Sequence, residues 1–457
     1  MQKARSLRQL VSTCFLGSAA DASLSSGPGG RRLFSQPSES SVWSFGDGSH
    51  GALGLPLLVG SDVYEPTRVP DLPSDVRAVC AGHYHSLAVT SAGEIWAWGR
   101  NDEGQLGRGQ LLDSRDEWSR PGRVQGLDHV RVRSAFASGV VSMAVGDDGS
   151  LWAWGRSKRG QLGLGRGILE VRLPTKVEAL AGEEVAKVGL GWGHALAQTK
   201  DGKLYGWGYS AEGRLGKLGE NLEPTRPSYS DYTEVGKTAS ACSDSALNIA
   251  AKMVAEDIEK EKNMPIVWEP CQVPELHGLN VMDVACGHDH SLVLCCTGLL
   301  LSGGSNVYNQ LGRVPAQIQS LQPIDLEYRP YAVSCGLGHS LALCLNPSCA
   351  IADATPSLFS WGWNLTSQLG RGGREDMPSM VEALKGKKIK RACGGRVHSV
   401  AVSSQGEIFS WGSGRNGRLG LGSSADEPEP TIIEALQGLE VLEAVCGHDH
   451  NLVLVAE

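Results

Sequence analysis

Seven times along the chain a glycine is followed eight residues later by a second glycine, and each time the residue before that second glycine is leucine. The pairs are Gly46/Gly54, Gly99/Gly107, Gly155/Gly163, Gly208/Gly216, Gly304/Gly312, Gly362/Gly370 and Gly412/Gly420, with Leu53, Leu106, Leu162, Leu215, Leu311, Leu369 and Leu419. A recurring pattern of this kind marks a repeat architecture, in which one supersecondary unit cannot bury its own apolar face and must stack on its neighbours. Ahead of the first glycine, residues two apart are aromatic: Trp43 and Phe45, Trp96 and Trp98, Trp152 and Trp154, Tyr205 and Trp207, Phe359 and Trp361, Phe409 and Trp411. Period two places each pair on one face of a strand. The fifth copy is the weak one, with Leu301 and Gly303.

The unit continues through a Pro-x-x-Val strand and a Val-x-x-Val strand into Gly-x-x-His-Ser-Leu-Ala-Val. His85, His194, His290, His339, His398 and His450 occupy one equivalent position, and the second copy substitutes Val141. Four short strands per unit of about fifty residues, stacked radially with few exposed edges, predict an all-β, seven-bladed β-propeller over residues 42–457. Glycine at 59 of 457 residues fits a fold this dense in tight turns. The first strand, Val42 to Phe45, has no predecessor, and the last, Leu452 to Val455, has no successor. Each supplies what the other lacks, so the N- and C-terminal strands are expected to pair and close the ring.

The fourth copy is longer than the others by about forty residues, an insertion over 220–266 of the kind that is usually functional or disordered. Within it, Ala246 to Lys262 reads as a helix with Leu247, Ala250, Val254 and Ile258 on one stripe and Glu256, Asp257, Glu259 and Lys260 beside it. This one helical insertion docks either on its own propeller or on a partner, which makes Leu247, Val254 and Ile258 candidate partner-binding residues. Trp118, in the Asp116-Glu117-Trp118 loop, is a second candidate anchor.

Catalytic chemistry finds no foothold in the sequence. Gly236-Lys237-Thr238 ends like a phosphate loop, but Asp231 stands where the leading glycine belongs. The pairs His83/His85, His288/His290 and His448/His450 could place two imidazoles on one strand face; their recurrence at equivalent positions favours a repeated structural role, with one histidine hydrogen-bonding inside each blade. Cys80, Cys286, Cys335, Cys393 and Cys446 stand just before repeated glycines and read as packing residues in the strand core. No catalytic residue, cofactor or metal is expected.

Residues 1–34 are of another character. Lys3, Arg5, Arg8, Arg31 and Arg32 face a single acid, Asp21, among many serines, with Leu7, Leu10, Val11 and Phe15 on an apolar face. A basic, serine-rich, amphipathic leader suits a transit peptide better than a secretory signal. Arg32-Leu33-Phe34-Ser35 fits a processing site between Phe34 and Ser35, and the expected compartment is the mitochondrial matrix, with the plastid as the alternative. Cleavage there takes the formal net charge from −8 to −12. An acidic surface repels phosphate backbones, so protein partners are expected rather than a direct grip on nucleic acid. No apolar run is long enough to span a membrane as a helix, and a monomer is expected.

Trp98-Gly99-Arg100-Asn101-Asp102-Glu103-Gly104-Gln105-Leu106-Gly107 and Gly338-His339-Ser340-Leu341-Ala342 resemble the consensus of the regulator of chromosome condensation repeat family. The resemblance covers residues 42–457 and implies the propeller fold. The nuclear founding member is a nucleotide exchange factor for a small GTPase and docks on chromatin through a basic tail; here the basic tail reads as a cleavable leader. The plant ultraviolet-B photoreceptor uses Gly-Trp-Arg-His motifs, which Gly191-Trp192-Gly193-His194 approximates once, without the arginine. The organellar members fit the leader best. By that resemblance the chain is expected to be a non-enzymatic mitochondrial scaffold that supports transcript splicing and respiratory complex I accumulation through RNA-processing or other protein partners; the alternative is a guanine-nucleotide exchange factor for a small GTPase.

Overall fold

The structure is a computed structural model and describes residues 39–56, 61–109, 115–218, 264–314, 320–348 and 355–457. The described strands form seven antiparallel four-stranded sheets, the blades of a propeller. Each is a meander whose innermost strand lines the axis. In the second blade the order from the axis outwards is Val76–Ala81, His85–Thr90, Ile95–Gly99 and Gly122–Arg123. Blades three to seven repeat this order along the chain.

The first blade closes the ring as expected. Its two inner strands, Glu440–Cys446 and His450–Ala456, come from the C-terminal end, and its two outer strands, Ser40–Gly46 and Val63–Arg68, from the N-terminal end. Val42 pairs with Leu454 and Trp43 with Val453 in an unbroken register from Ser40/Ala456 to Gly46/His450. The sequence repeat and the blade are therefore out of phase: each repeat supplies the outer half of one blade and the inner half of the next. Every repeat straddles a blade interface, which is how a linear duplication produces a mutually locked ring.

The paired glycines follow from the turn joining the third strand to the outermost. Gly99 has φ +105° and Gly107 φ +67°, a region that side chains with a Cβ rarely occupy. A Cβ on Gly99 would stand 2.6 Å from the Tyr84 carbonyl oxygen. The second aromatic of each strand, Phe45, Trp98, Trp154, Trp207, Trp361 or Trp411, is fully buried, whereas Trp43, Trp96, Trp152 and Tyr205 are half-buried. Burial of an indole of this size is worth roughly 3–5 kcal/mol against alanine. In the weak fifth copy the backbone fills the space: a Cβ on Gly303 would lie 2.4 Å from the Gly213 carbonyl oxygen.

The α-helix among the described residues is a short one, Arg115–Ser119 of the second blade, and three-residue 3-10 turns accompany it. The predicted helix at 246–262, Gly236-Lys237-Thr238, residues 1–34 and the Phe34/Ser35 site lie outside the described residues, as does most of 220–266. That stretch falls between Leu204–Tyr209 and Ile266–Gln272, the third and outermost strands of the fourth blade. Among the described residues no helix is long and apolar enough to cross a membrane.

Candidate functional site

The repeated histidine is the joint between blades. His85 Nε2 lies 2.8 Å from Ser142 Oγ, and equivalent bonds join His194 to Ser291, His290 to Ser340, His339 to Ser399, and His398 to Asn451 Oδ1, each at 2.9 Å. Every bond runs from one blade to the next, which corrects the expectation of a bond inside each blade. A strand only six residues long has its own backbone satisfied by its sheet neighbours, so a buried side-chain donor there finds its partner across the interface.

The proton positions follow from the second bond of the hydroxyl at Ser142, Ser340 and Ser399. Ser142 Oγ donates to the Gln105 carbonyl at 2.8 Å, and the same carbonyl oxygen accepts from Trp154 Nε1 at 2.8 Å. With its own proton used, the serine must accept from histidine, so the imidazole carries its proton on Nε2. Asn451 fixes the same tautomer for His398, since its Nδ2 donates to the Arg418 carbonyl and its Oδ1 accepts. The Nδ1 atoms of His85, His194, His290, His339 and His398 are buried without a partner. Burial holds His85, His290, His339 and His398 at about 3 and His450 at about 4, with His194 also well below its ordinary value. These pairs resemble a nucleophile and its base, but the hydroxyl proton goes to a carbonyl, Nδ1 lacks an orienting carboxylate, and both groups are sealed from solvent.

One interface lacks the bond, and it lacks both halves. Val141 replaces the histidine of the third blade, and Ala195 replaces the serine that would have faced it on the fourth. Without an imidazole there, the position three residues earlier can carry a side chain: Ser138 stands where Gly82 stands in the second blade, and its Oγ donates to the Gly191 carbonyl at 2.9 Å. A Cβ on Gly82 would lie 2.4 Å from the His85 ring.

The expected histidine pairs are parted. His85, His290 and His450 open strands and turn into the blade interfaces, while His83, His288 and His448 lie in the preceding turns, outside the period-two region, and reach the propeller axis. There the rings of His448, His83, Trp192 and His288 form one continuous stack, with centroids 4.6, 4.9 and 5.4 Å apart and planes within 17°. The third blade contributes Gly139 at this level; a Cβ there would come 3.3 Å from Trp192, so its absence lets Trp192 reach His83. Main-chain bonds circle the same level, from Trp192 N to His288 O, His288 N to Leu337 O, Leu337 N to Gly395 O and Arg396 N to His448 O.

The stack borders an axial cavity of about 140 Å³, also lined by Cys286, Cys335 and Cys446. These thiols border the cavity and also pack against the blade cores, and burial pushes Cys286 up to about 12 and Cys446 well above its ordinary value, so they are poor nucleophiles and poor metal ligands. The flanking carboxylates are committed: Asp449 to Arg396 at 2.7 Å and Arg418 at 3.2 Å, and Asp289 to Arg214 at 2.7 Å and His288 at 2.6 Å. Burial raises Asp289, but hydrogen bonds and charge from His288 and Arg214 more than offset it and hold the carboxyl below its ordinary value. Among the described residues no group of three or more His, Cys, Asp or Glu is placed to hold a metal.

The turns bearing these axial residues share one end of the propeller with the loops that follow each third strand, as Arg100 N to Tyr84 O and Trp363 N to Gly338 O show. At the tips of those loops the sequence varies. Asp102 and Glu103 occupy the tip in the second blade and Lys158 and Arg159 in the third, but Val307 and Tyr308 in the fifth and Leu365 in the sixth. Val307 is 77% and Leu365 81% exposed. Between them Tyr308 stacks on Trp363, with centroids 5.0 Å apart, over Gly338, where a Cβ would approach Tyr308 to 3.1 Å. Sequence reading passed over this patch, although the apolar loop tips were visible as departures from the repeat. Trp118 is half-buried with its ring beside Gly51 of the first blade.

A ring of self-locked blades that spends its histidines and tryptophans on its own interfaces, and offers a variable loop face, defines a propeller of the scaffold or regulator class. A family model described as RCC1-like domain matches residues 41–453, and the chain belongs to that family. It is 30% identical to the Ultraviolet-B receptor UVR8 of Arabidopsis thaliana over 86% of this chain and 78% of that one, and 29% identical to human Protein RCC2 over 87% and 71%. The crystal structure of Prp20p from Saccharomyces cerevisiae, described with its binding properties to Gsp1p and histones, shares the fold with a TM-score of 0.71 at 23% identity, covering 92% of both chains.

Proposed function

We propose that the chain is a non-enzymatic mitochondrial scaffold that supports transcript processing and splicing, and respiratory complex I accumulation, by holding RNA-processing proteins on its loop face. The observation that carries the scaffold reading is the apolar patch of Val307, Tyr308, Trp363 and Leu365, formed by two adjacent loops whose counterparts in the second and third blades are charged at the same tips. Apolar side chains this exposed contribute little to the fold and suit a protein partner. The compartment rests on the basic, serine-rich leader, and the processes on the organellar resemblance. Affinity purification from mitochondria, followed by mass spectrometry, is the test: splicing or complex I assembly proteins should co-purify with the wild type and be lost from Val307→Asp/Leu365→Asp.

The resemblance of the repeats to those of the family's founding member, a nucleotide exchange factor, supports a second reading, nucleotide exchange on a small GTPase. Accelerated guanine-nucleotide release from a GTPase recovered in the same purification would favour it over the scaffold.

A further inference from the structure

The third blade carries a second surface of different chemistry. Between Arg156 and Arg172 the chain places Arg156, Lys158, Arg159, Arg166 and Arg172 against one acid, Glu170, in a protein that is otherwise net acidic. Glu170 bridges Arg156 and Arg172, and Arg159 lies over the Tyr209 ring. Glu269 of the fourth blade also approaches, near Gly165. Leaving Lys158 aside, Arg156, Arg159, Arg166 and Arg172 outnumber these two acids among the described residues. Set among these cations are Ile168 and Leu173, each 42% exposed, and Leu169, 39% exposed. The loop is fixed: Gly165 donates to the Trp268 carbonyl at 3.2 Å, Ser157 N donates to the Leu169 carbonyl at 2.8 Å, and Gly165 and Gly167 hold φ of +99° and +95° on either side of Arg166.

We infer that this rim of the third blade is a docking surface for an acidic protein segment bearing apolar side chains, with Arg156 and Arg166 facing its carboxylates and Ile168 and Leu169 its apolar groups. Charge complementarity selects an acidic occupant, and the exposed Ile168, Leu169 and Leu173 select a protein segment over a phosphate backbone, which would be met by cations and hydrogen-bond donors without aliphatic side chains. The inference rests on the scaffold reading and names the chemistry of one partner; it does not depend on the compartment.

The test uses purified full-length chain and fluorescence anisotropy with three labelled probes: a 16-residue peptide of Glu and Leu with Leu at helical spacing, the same peptide with every Leu replaced by Ser, and a 16-nucleotide oligouridine. The Glu/Leu peptide should bind most tightly. Arg156→Glu/Arg166→Glu should weaken it by about tenfold. Ile168→Ser/Leu169→Ser should reduce it to the affinity of the Ser peptide. All four positions are surface residues, and an unchanged melting temperature verifies the fold. Equal binding of the Glu/Leu and Glu/Ser peptides, tighter binding of oligouridine, or an unmoved affinity in the charge-reversed variant overturns the inference. Such a failure leaves mitochondrial co-purification untouched, so the two readings fail separately.

Discussion

His450 Nε2 lies 3.0 Å from Ser86 Oγ, across 364 residues of chain, and this bond completes the sequence of interblade joints at the point where the ring closes. Ser86 passes its own proton to the Ala52 carbonyl at 2.8 Å, an oxygen that also accepts from Trp98 Nε1. The first and second blades thus meet at one hydroxyl that is sealed from solvent.

Ser86→Ala strands the His450 donor and should cost about 1–3 kcal/mol. Adding His450→Val reproduces the Val141/Ala195 combination found between the third and fourth blades and should cost less than the sum of the two single changes. A double-mutant cycle read by chemical denaturation checks this; additive effects would mean that the pair is not coupled.

Acid should unfold the ring through these same histidines. Folded values of about 3 to 4 lie below the ordinary 6.5, so between those limits the unfolded chain binds more protons than the folded one. The stability they contribute is fully present above pH 6.5 and is lost as pH falls toward 4, by up to roughly 1.4 kcal/mol per pH unit for each histidine. Melting temperature should be flat from pH 8 to 7 and fall steeply below 6, and the Val/Ala double variant should show a shallower fall.

Closure by strand exchange predicts an asymmetry between deletions. Removing residues 42–46 takes away the neighbour of Leu452–Val455 and should lower the melting temperature sharply, whereas removing 1–34 should leave it unchanged. A thermal-shift comparison of the two deletions decides it.

Two glycines separate strain from collision. Gly182 has φ +88° and nothing within 4 Å of where a Cβ would stand, while Gly99 has φ +105° and the Tyr84 oxygen in the way. Gly182→Ala should cost about 1–2 kcal/mol, and Gly99→Ala several kcal/mol more than that because backbone must move. Denaturation midpoints of the two variants give the comparison.

The propeller was legible because its causes are local. A glycine at positive φ, an aromatic pair at period two and a histidine before Ser-Leu-Ala-Val recur at spacings that one strand and one turn impose. The partnering of those residues was not legible. The bond from His85 was expected inside its own blade and runs to Ser142, because a strand's two faces look toward different neighbours and spacing cannot say which. His83 and His85 were expected on one strand face, yet the strand begins at His85, so His83 follows the turn to the axis.

By itself, then, the order of residues determined seven blades and the glycine positions of their turns, since these depend on geometry within a few residues, and also the terminal strand pair, because each end of the repeat array lacks the neighbour that the other supplies. The tertiary structure alone decided the stack of His448, His83, Trp192 and His288, the matched absence at Val141 and Ala195, and the joining of Tyr308 to Trp363. Those residues belong to different blades, and only the curvature of the ring brings them within contact distance.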